Sequence, residues 1–400
     1  MHGVIIPVVA SSIPVTAPAL TSRTGLAPAN IPWYIWCAVA AVTSSMIGVH
    51  WDISWHRSIG RDTFWTPAHI AIYMGGVLAG LSCAYLILTT TFSPQAPLRD
   101  ASVKIWGFRG PLGAFISAWG GIAMLTSAPF DDWWHNAYGL DVKILSPPHV
   151  VLALGMISIK LGALILILGQ MNRSQGASRE KLNRLFLYIG GMLVVALLAL
   201  LLEYTQRIFL HTGRVYRVLA MAIPIILVGV SKASGKRWAA TTVAAIYSVF
   251  LLGLLWVLPL FPAEPKLGPV YHQVTHFIPN GFPVLIIVPA LLLDILWART
   301  ASWNRWLVAL VSGFVFLGAL FAAEWPFADF LMSPGARNWF FGSHYFDYYV
   351  SPNSYTARWL FYPLETAAQF RTELTLALIA AILSTRLGLG WGAWMERIKR

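Results

Sequence analysis

Ten separate runs of about 20 apolar residues constrain this chain more than any other feature, because each is long enough to cross a hydrocarbon core as a helix. They fall at roughly 32–50, 66–91, 111–129, 148–170, 185–205, 216–231, 238–261, 282–299, 304–330 and 366–390. Only 11 % of the residues are charged and 57 % are hydrophobic, where a soluble domain carries about 25 % charged residues. The expected fold class is therefore all-α, a polytopic integral membrane helical bundle of about ten transmembrane helices. The longest connection, about 331–365, leaves no room for a soluble domain of useful size. Residues 1–30 lack a basic start and hold four prolines and a single charge at Arg23, so they read as a loose N-terminal arm and not as a signal peptide.

The formal net charge of +12 points to loop charges facing anionic lipid, not to nucleic acid. Lys and Arg concentrate in alternate loops, at Arg99, Lys104 and Arg109, at Arg173, Arg179, Lys181 and Arg184, at Lys232, Lys236 and Arg237, and at Arg299 and Arg305. These loops are expected on the cytoplasmic side of the cell (inner) membrane, with both termini. Every histidine except His2 then falls in or next to extracytoplasmic loops. Cys37 and Cys83 sit inside predicted spans, which argues against a disulfide scaffold.

One stretch repeats. Residues 50–70 read HWDISWHRSIGRDTFWTPAHI, and residues 131–150 read DDWWHNAYGLDVKILSPPHV. Asp52, His56 and His69 recur as Asp131, His135 and His149, with one extra residue before the last position. Trp55 and Trp134, Gly60 and Gly139, Asp62 and Asp141, and Thr66-Pro67 and Ser146-Pro147 recur with them. A four-residue step puts the Asp and the first His on one helix face. Thr66 and Pro67 fit a cap and first helical position, which brings His69 into the first turn of the next helix. Two imidazoles and a carboxylate can thus converge, a donor set that suits copper, non-haem iron or zinc. Read structurally, the same trio is a polar interfacial cluster that ties a helix hairpin together. The first four spans become a parallel internal repeat. Residues 31–170 form the repeated metal-binding half, and 171–400 form a six-helix half without an assigned role.

Other polar residues have narrower readings. His50, Arg61, Asp62, Asp132 and Asp141 sit beside the motif residues and read as orienting support. Lys160 and Asp294 are expected at similar depth in the membrane, as a buried pair between the halves. Glu203, His211, His272, His276, Glu324, His344 and Asp347 are expected to line an outer cavity, or simply to be solvated at the interface.

The string Asp52-x3-His56, Arg61-Asp62-Thr63, Thr66-Pro67-x-His69-Ile70 resembles the C subunit of particulate methane monooxygenase and ammonia monooxygenase. The resemblance implies copper held in the membrane by Asp52, His56 and His69. It also implies a neighbouring copper site at Asp131, His135 and His149, where the family has Asn in the first position. It covers both motifs within roughly the first 170 residues; family C subunits are shorter, and residues 171–400 do not align with them. The family complex also contains a subunit with soluble cupredoxin domains, absent from this sequence. The expected function is a copper-dependent monooxygenase, or its metal-binding subunit, acting on a small apolar substrate with O2. Expected partners are membrane lipid, other monooxygenase-type subunits, a quinol or other reductant, and further copies of the chain. A copper transporter or assembly factor is the alternative, and a structural membrane protein without metal is the third reading.

Overall fold

The computed structural model describes residues 30–139, 146–205, 209–266, 274–342 and 365–399. Its long helices are α1 Trp33–Ser58, α2 Pro67–Phe92, α3 Leu112–Tyr138, α4 Pro147–Arg173, α5 Gly176–Leu200, α7 Gly213–Ser234, α8 Ala239–Val257, α10 Arg305–Met332 and α11 Ala367–Met395. Between them lie a one-turn helix α6 (Leu202–Thr205) and an 11-residue helix α9 (Ile287–Trp297). A two-stranded ribbon, β1 Val103–Ile105 against β2 Phe108–Gly110, joins α2 to α3. Nine of the described helices are long and apolar enough to cross a membrane, and the chain is an all-α multi-pass membrane bundle.

The eighth predicted span differs from expectation. Residues 282–286 of it continue the irregular segment that runs from 274, and α9 begins only at Ile287. Pro279, Gly281 and Pro283 account for this, because proline removes a backbone donor and clashes with the preceding turn. Unpaired backbone is costly at membrane depth, so neighbouring side chains must satisfy it. Ser58 Oγ accepts from Ile278 N at 2.7 Å, and Ser54 Oγ donates to Ile278 O at 2.6 Å. Tyr247 Oη accepts from Val284 N at 3.2 Å, and Glu324 Oε2 accepts from Leu285 N at 2.8 Å.

Glu324, expected to line a cavity, is instead buried on α10 and serves the backbone just ahead of α9. Asp294 plays a similar part for α8. Its carboxylate accepts from Ala240 N at 3.2 Å, Thr241 N at 2.8 Å and Thr241 Oγ1 at 2.7 Å. A carboxylate on these first-turn donors satisfies orphan N–H groups and complements the helix dipole. The Lys160–Asp294 pair is therefore corrected. Because α9 is short, Asp294 lies three residues before its end, not at mid-depth. Lys160 is at the centre of α4, fully buried, and donates to Ser45 Oγ and Met156 O, each at 3.2 Å.

The first half forms two helical hairpins, α1/α2 and α3/α4, with α2 packed on α3. Small residues bring the backbones together. A Cβ on Gly75 would meet Ala41 O at 2.7 Å, and one on Gly120 would meet Gly155 O at 2.7 Å. Both hairpins put their connecting turns at the same end of the bundle. In the second half α7 and α11 make the tightest pair, where a Cβ on Gly388 would meet Ile225 O at 2.9 Å. The described residues from Ile31 onward belong to one compact unit.

Candidate metal centre

The helices that carry the motifs run further than the apolar runs foretell. Hydropathy alone ends them near 50 and 129, whereas α1 continues to Ser58 and α3 to Tyr138. Asp52 and His56 therefore stand on one continuous face of α1, and Asp131 and His135 on one face of α3. Each helix then leaves through a glycine with positive φ, 85° at Gly60 and 88° at Gly139, a conformation that glycine adopts at no steric cost. Gly60 N donates to Trp55 O at 3.2 Å, and Gly139 N donates to His135 O at 3.0 Å. The return helices start at Pro67 and Pro147, so His69 and His149 lie in first turns, as the spacing requires. Thr66 occupies the cap position, but its Oγ1 accepts from Thr63 N at 2.8 Å and so shapes the loop instead of capping.

In the first cluster four side chains meet. His69 Nε2 lies 3.1 Å from Asp52 Oδ1 and 3.2 Å from Asp62 Oδ2. His56 Nε2 lies 3.4 Å from Asp62 Oδ2 and 3.7 Å from Asp52 Oδ2. Donor atoms of Asp52, Asp62 and His69 fall within 4.8 Å of one another. In the second cluster His135 Nε2 and His149 Nε2 are each 3.4 Å from a carboxylate oxygen of Asp131, and these three also fall within 4.8 Å.

The remaining ring nitrogens define how the imidazoles are used. His69 Nδ1 is 2.9 Å from Thr63 O, and His135 Nδ1 is 3.2 Å from Gly139 O. A carbonyl at Nδ1 fixes a proton there, so Nε2 faces the cluster, as an N–H donor to the carboxylates when the ring is charged and as a lone pair when it is neutral. Asp62 is the one member in a connecting loop. Burial alone would raise its carboxyl, but hydrogen bonds and charge from His56 and His69 outweigh this and hold it well below the usual carboxylate range.

The same distances suit an ion-pair network of histidines and carboxylates or donors that share a metal. Charge-assisted N–H···O contacts contract to about 2.7–2.9 Å. A metal about 2.0–2.1 Å from each donor sets tetrahedral donor–donor edges near 3.3 Å, close to the 3.1–3.7 Å seen here. Asp52 Oδ1 is buried and faces His69 Nε2 at 3.1 Å.

The sequence reads Asp62 as orienting support, and its Oδ2 lies within reach of both His56 Nε2 and His69 Nε2. The signal was there, in the shared Gly-x-Asp of both repeats. Thr63, which orients His69, was not singled out. Nor was Tyr73, one turn beyond His69, whose ring centroid lies 6.0 Å from that of His69.

Other expected residues lie elsewhere. His50 does not support the cluster: its ring is buried edge-on to Phe250, with Nδ1 3.0 Å from Met46 O, while its carbonyl accepts from Asn280. Arg61 contributes its carbonyl to Trp55 Nε1 at 2.9 Å. Asp132 accepts from Asn136 on the exposed side of α3. His211 Nε2 is 3.0 Å from Asp329 Oδ1, beside the Trp325 ring. His276 contacts Thr275 Oγ1 at 3.0 Å, and Glu203 lies in α6. Asp141, His272, His344 and Asp347 lie outside the described residues. Comparison of the chain with family models, curated proteins and solved structures gives no match to any of them.

Proposed function

We propose that this chain is a copper-binding membrane oxidoreductase, monooxygenase-like in its first four helices, that oxidises a small apolar substrate with O2. The observation that carries this reading is the duplicated convergence of Nε2 and carboxylate donors at one end of two helical hairpins. Asp52, His56 and His69, joined by Asp62, would hold one ion, and Asp131, His135 and His149 a second. Copper in such a set supplies O2 reduction, with positions left open by two imidazoles and a carboxylate. Iron and zinc suit the same donors, and the choice of copper rests on the motif resemblance. Thr63 and Gly139 keep His69 and His135 in the tautomer that faces the cluster. An apolar substrate would approach past Phe64, Trp65 and Tyr73, and Trp65 is 72 % exposed.

In this proposal both termini face the cytoplasm of an inner-membrane protein and the clusters the extracytoplasmic side, a reading that the bias of Lys and Arg in the loops supports. A quinol or another donor would supply electrons, and further subunits or copies of the chain would complete the assembly. Transport of the metal is the runner-up, but Asp294 and Glu324 are committed to backbone donors, and Lys160 alone makes a poor conduit. The test is electron paramagnetic resonance of the detergent-purified protein with O2 consumption under a quinol donor. The copper signal is expected to fall in His69→Ala and in His149→Ala taken singly, and to vanish together with O2 uptake when both are changed. Copper flux into liposomes without O2 uptake would favour transport.

A further inference from the structure

We infer that Asp62 is itself a ligand of the first site, and that its charge commits that site to a divalent ion over a monovalent one. This rests on the metal reading above and adds a donor and a selectivity to it. Among the described residues, the tight triad of the first cluster is Asp52, Asp62 and His69, so Asp62 stands in it beside a carboxylate and an imidazole of the motif. Asp62 Oδ2 is 3.2 Å from His69 Nε2 and 3.4 Å from His56 Nε2, so it closes a ring in which imidazole and carboxylate alternate. His56 is the looser member, with a side chain 48 % exposed against 18 % for Asp62.

Asp62 reaches this position through the left-handed Gly60 and the Thr63–Thr66 turn, which fold the loop back over the end of α1. Two carboxylates balance a divalent charge at the membrane edge, where an uncompensated charge is expensive. A monovalent ion would leave one negative charge unbalanced, and Cu(I) also prefers soft donors that this ring lacks.

The test uses the full chain carrying His135→Ala, so that only the first cluster reports, titrated with Zn2+ and separately with Cu+ under reducing conditions. Asp62→Asn is expected to weaken Zn2+ binding at least 100-fold and Cu+ binding by no more than a few fold, collapsing the selectivity. Asp62→Glu, which keeps the charge, is expected to restore most of it and guards against a folding defect in Asp62→Asn. Equal losses for both ions would make Asp62 an orienting residue only, and no loss for either would remove it from the site; both results overturn the inference while leaving a metal site. Failure of the parent protein to bind either ion would overturn the metal reading itself.

Discussion

At Ser58 one hydroxyl links the two halves of the molecule. It donates to Ser54 O at 2.6 Å and accepts from Ile278 N at 2.7 Å. Ser58→Ala would strand a part-buried N–H of the broken span, so a loss of about 1–3 kcal/mol is expected in denaturant or thermal unfolding in detergent. Because Ser54 and Ser58 share the last turns of α1 with Asp52 and His56, the same change should also loosen the first cluster. His211 offers a pH test. Burial lowers its affinity for a proton, against the opposing pull of Asp329. Its folded pKa is thus below the unfolded value of about 6.5, and the unfolded state binds more protons as the pH falls. This part of the stability is complete above about pH 6.5 and declines below it. His211→Gln should flatten the melting-temperature profile between about pH 5 and 7 relative to wild type.

Elements show where the sequence could be read and where it could not. The nine long helices follow directly from apolar runs of membrane length. Their polar ends do not, because hydropathy fades before the helix stops, as at Trp51–Ser58 of α1. The break at 274–286 was legible in Pro279, Gly281 and Pro283, yet an average over an apolar window hides single breakers. What no local pattern reveals is capping across helices. Glu365 Oε2 accepts from Gly213 N at 3.0 Å at the start of α7, just as Asp294 serves α8. Asp294→Ala should therefore cost about 0.5–2 kcal/mol, the range for losing a cap, and raise amide exchange at Ala240 and Thr241. Gly60→Ala should cost about 1–2 kcal/mol, because alanine resists a φ of 85°, and should displace Asp62 from the cluster.

Across the whole molecule, the second half braces the first cluster. Lys266 N donates to Ile59 O at 2.9 Å, Phe277 packs on Trp55, and Ile59 shares a small core with Leu258, Ala263 and Phe277. The Asp–His–His repeat made the cluster residues legible early, since chemistry and helical spacing coincide there. The bracing is invisible in sequence because it joins residues more than 200 positions apart, such as Ser58 and Ile278. Lys160 is a separate matter. Its described partners are a hydroxyl and a carbonyl, so Lys160→Met should leave folding intact and raise the melting temperature, as removing an uncompensated buried amine generally does. The most direct measurement is elemental analysis of the purified wild type beside Asp52→Ala, Asp131→Ala and the double variant, each checked for folding. A two-site metalloprotein should carry a transition metal, lose part of it in each single variant and all of it in the double variant. A wild type free of metal, or a double variant with undiminished content, would contradict the assignment of both clusters.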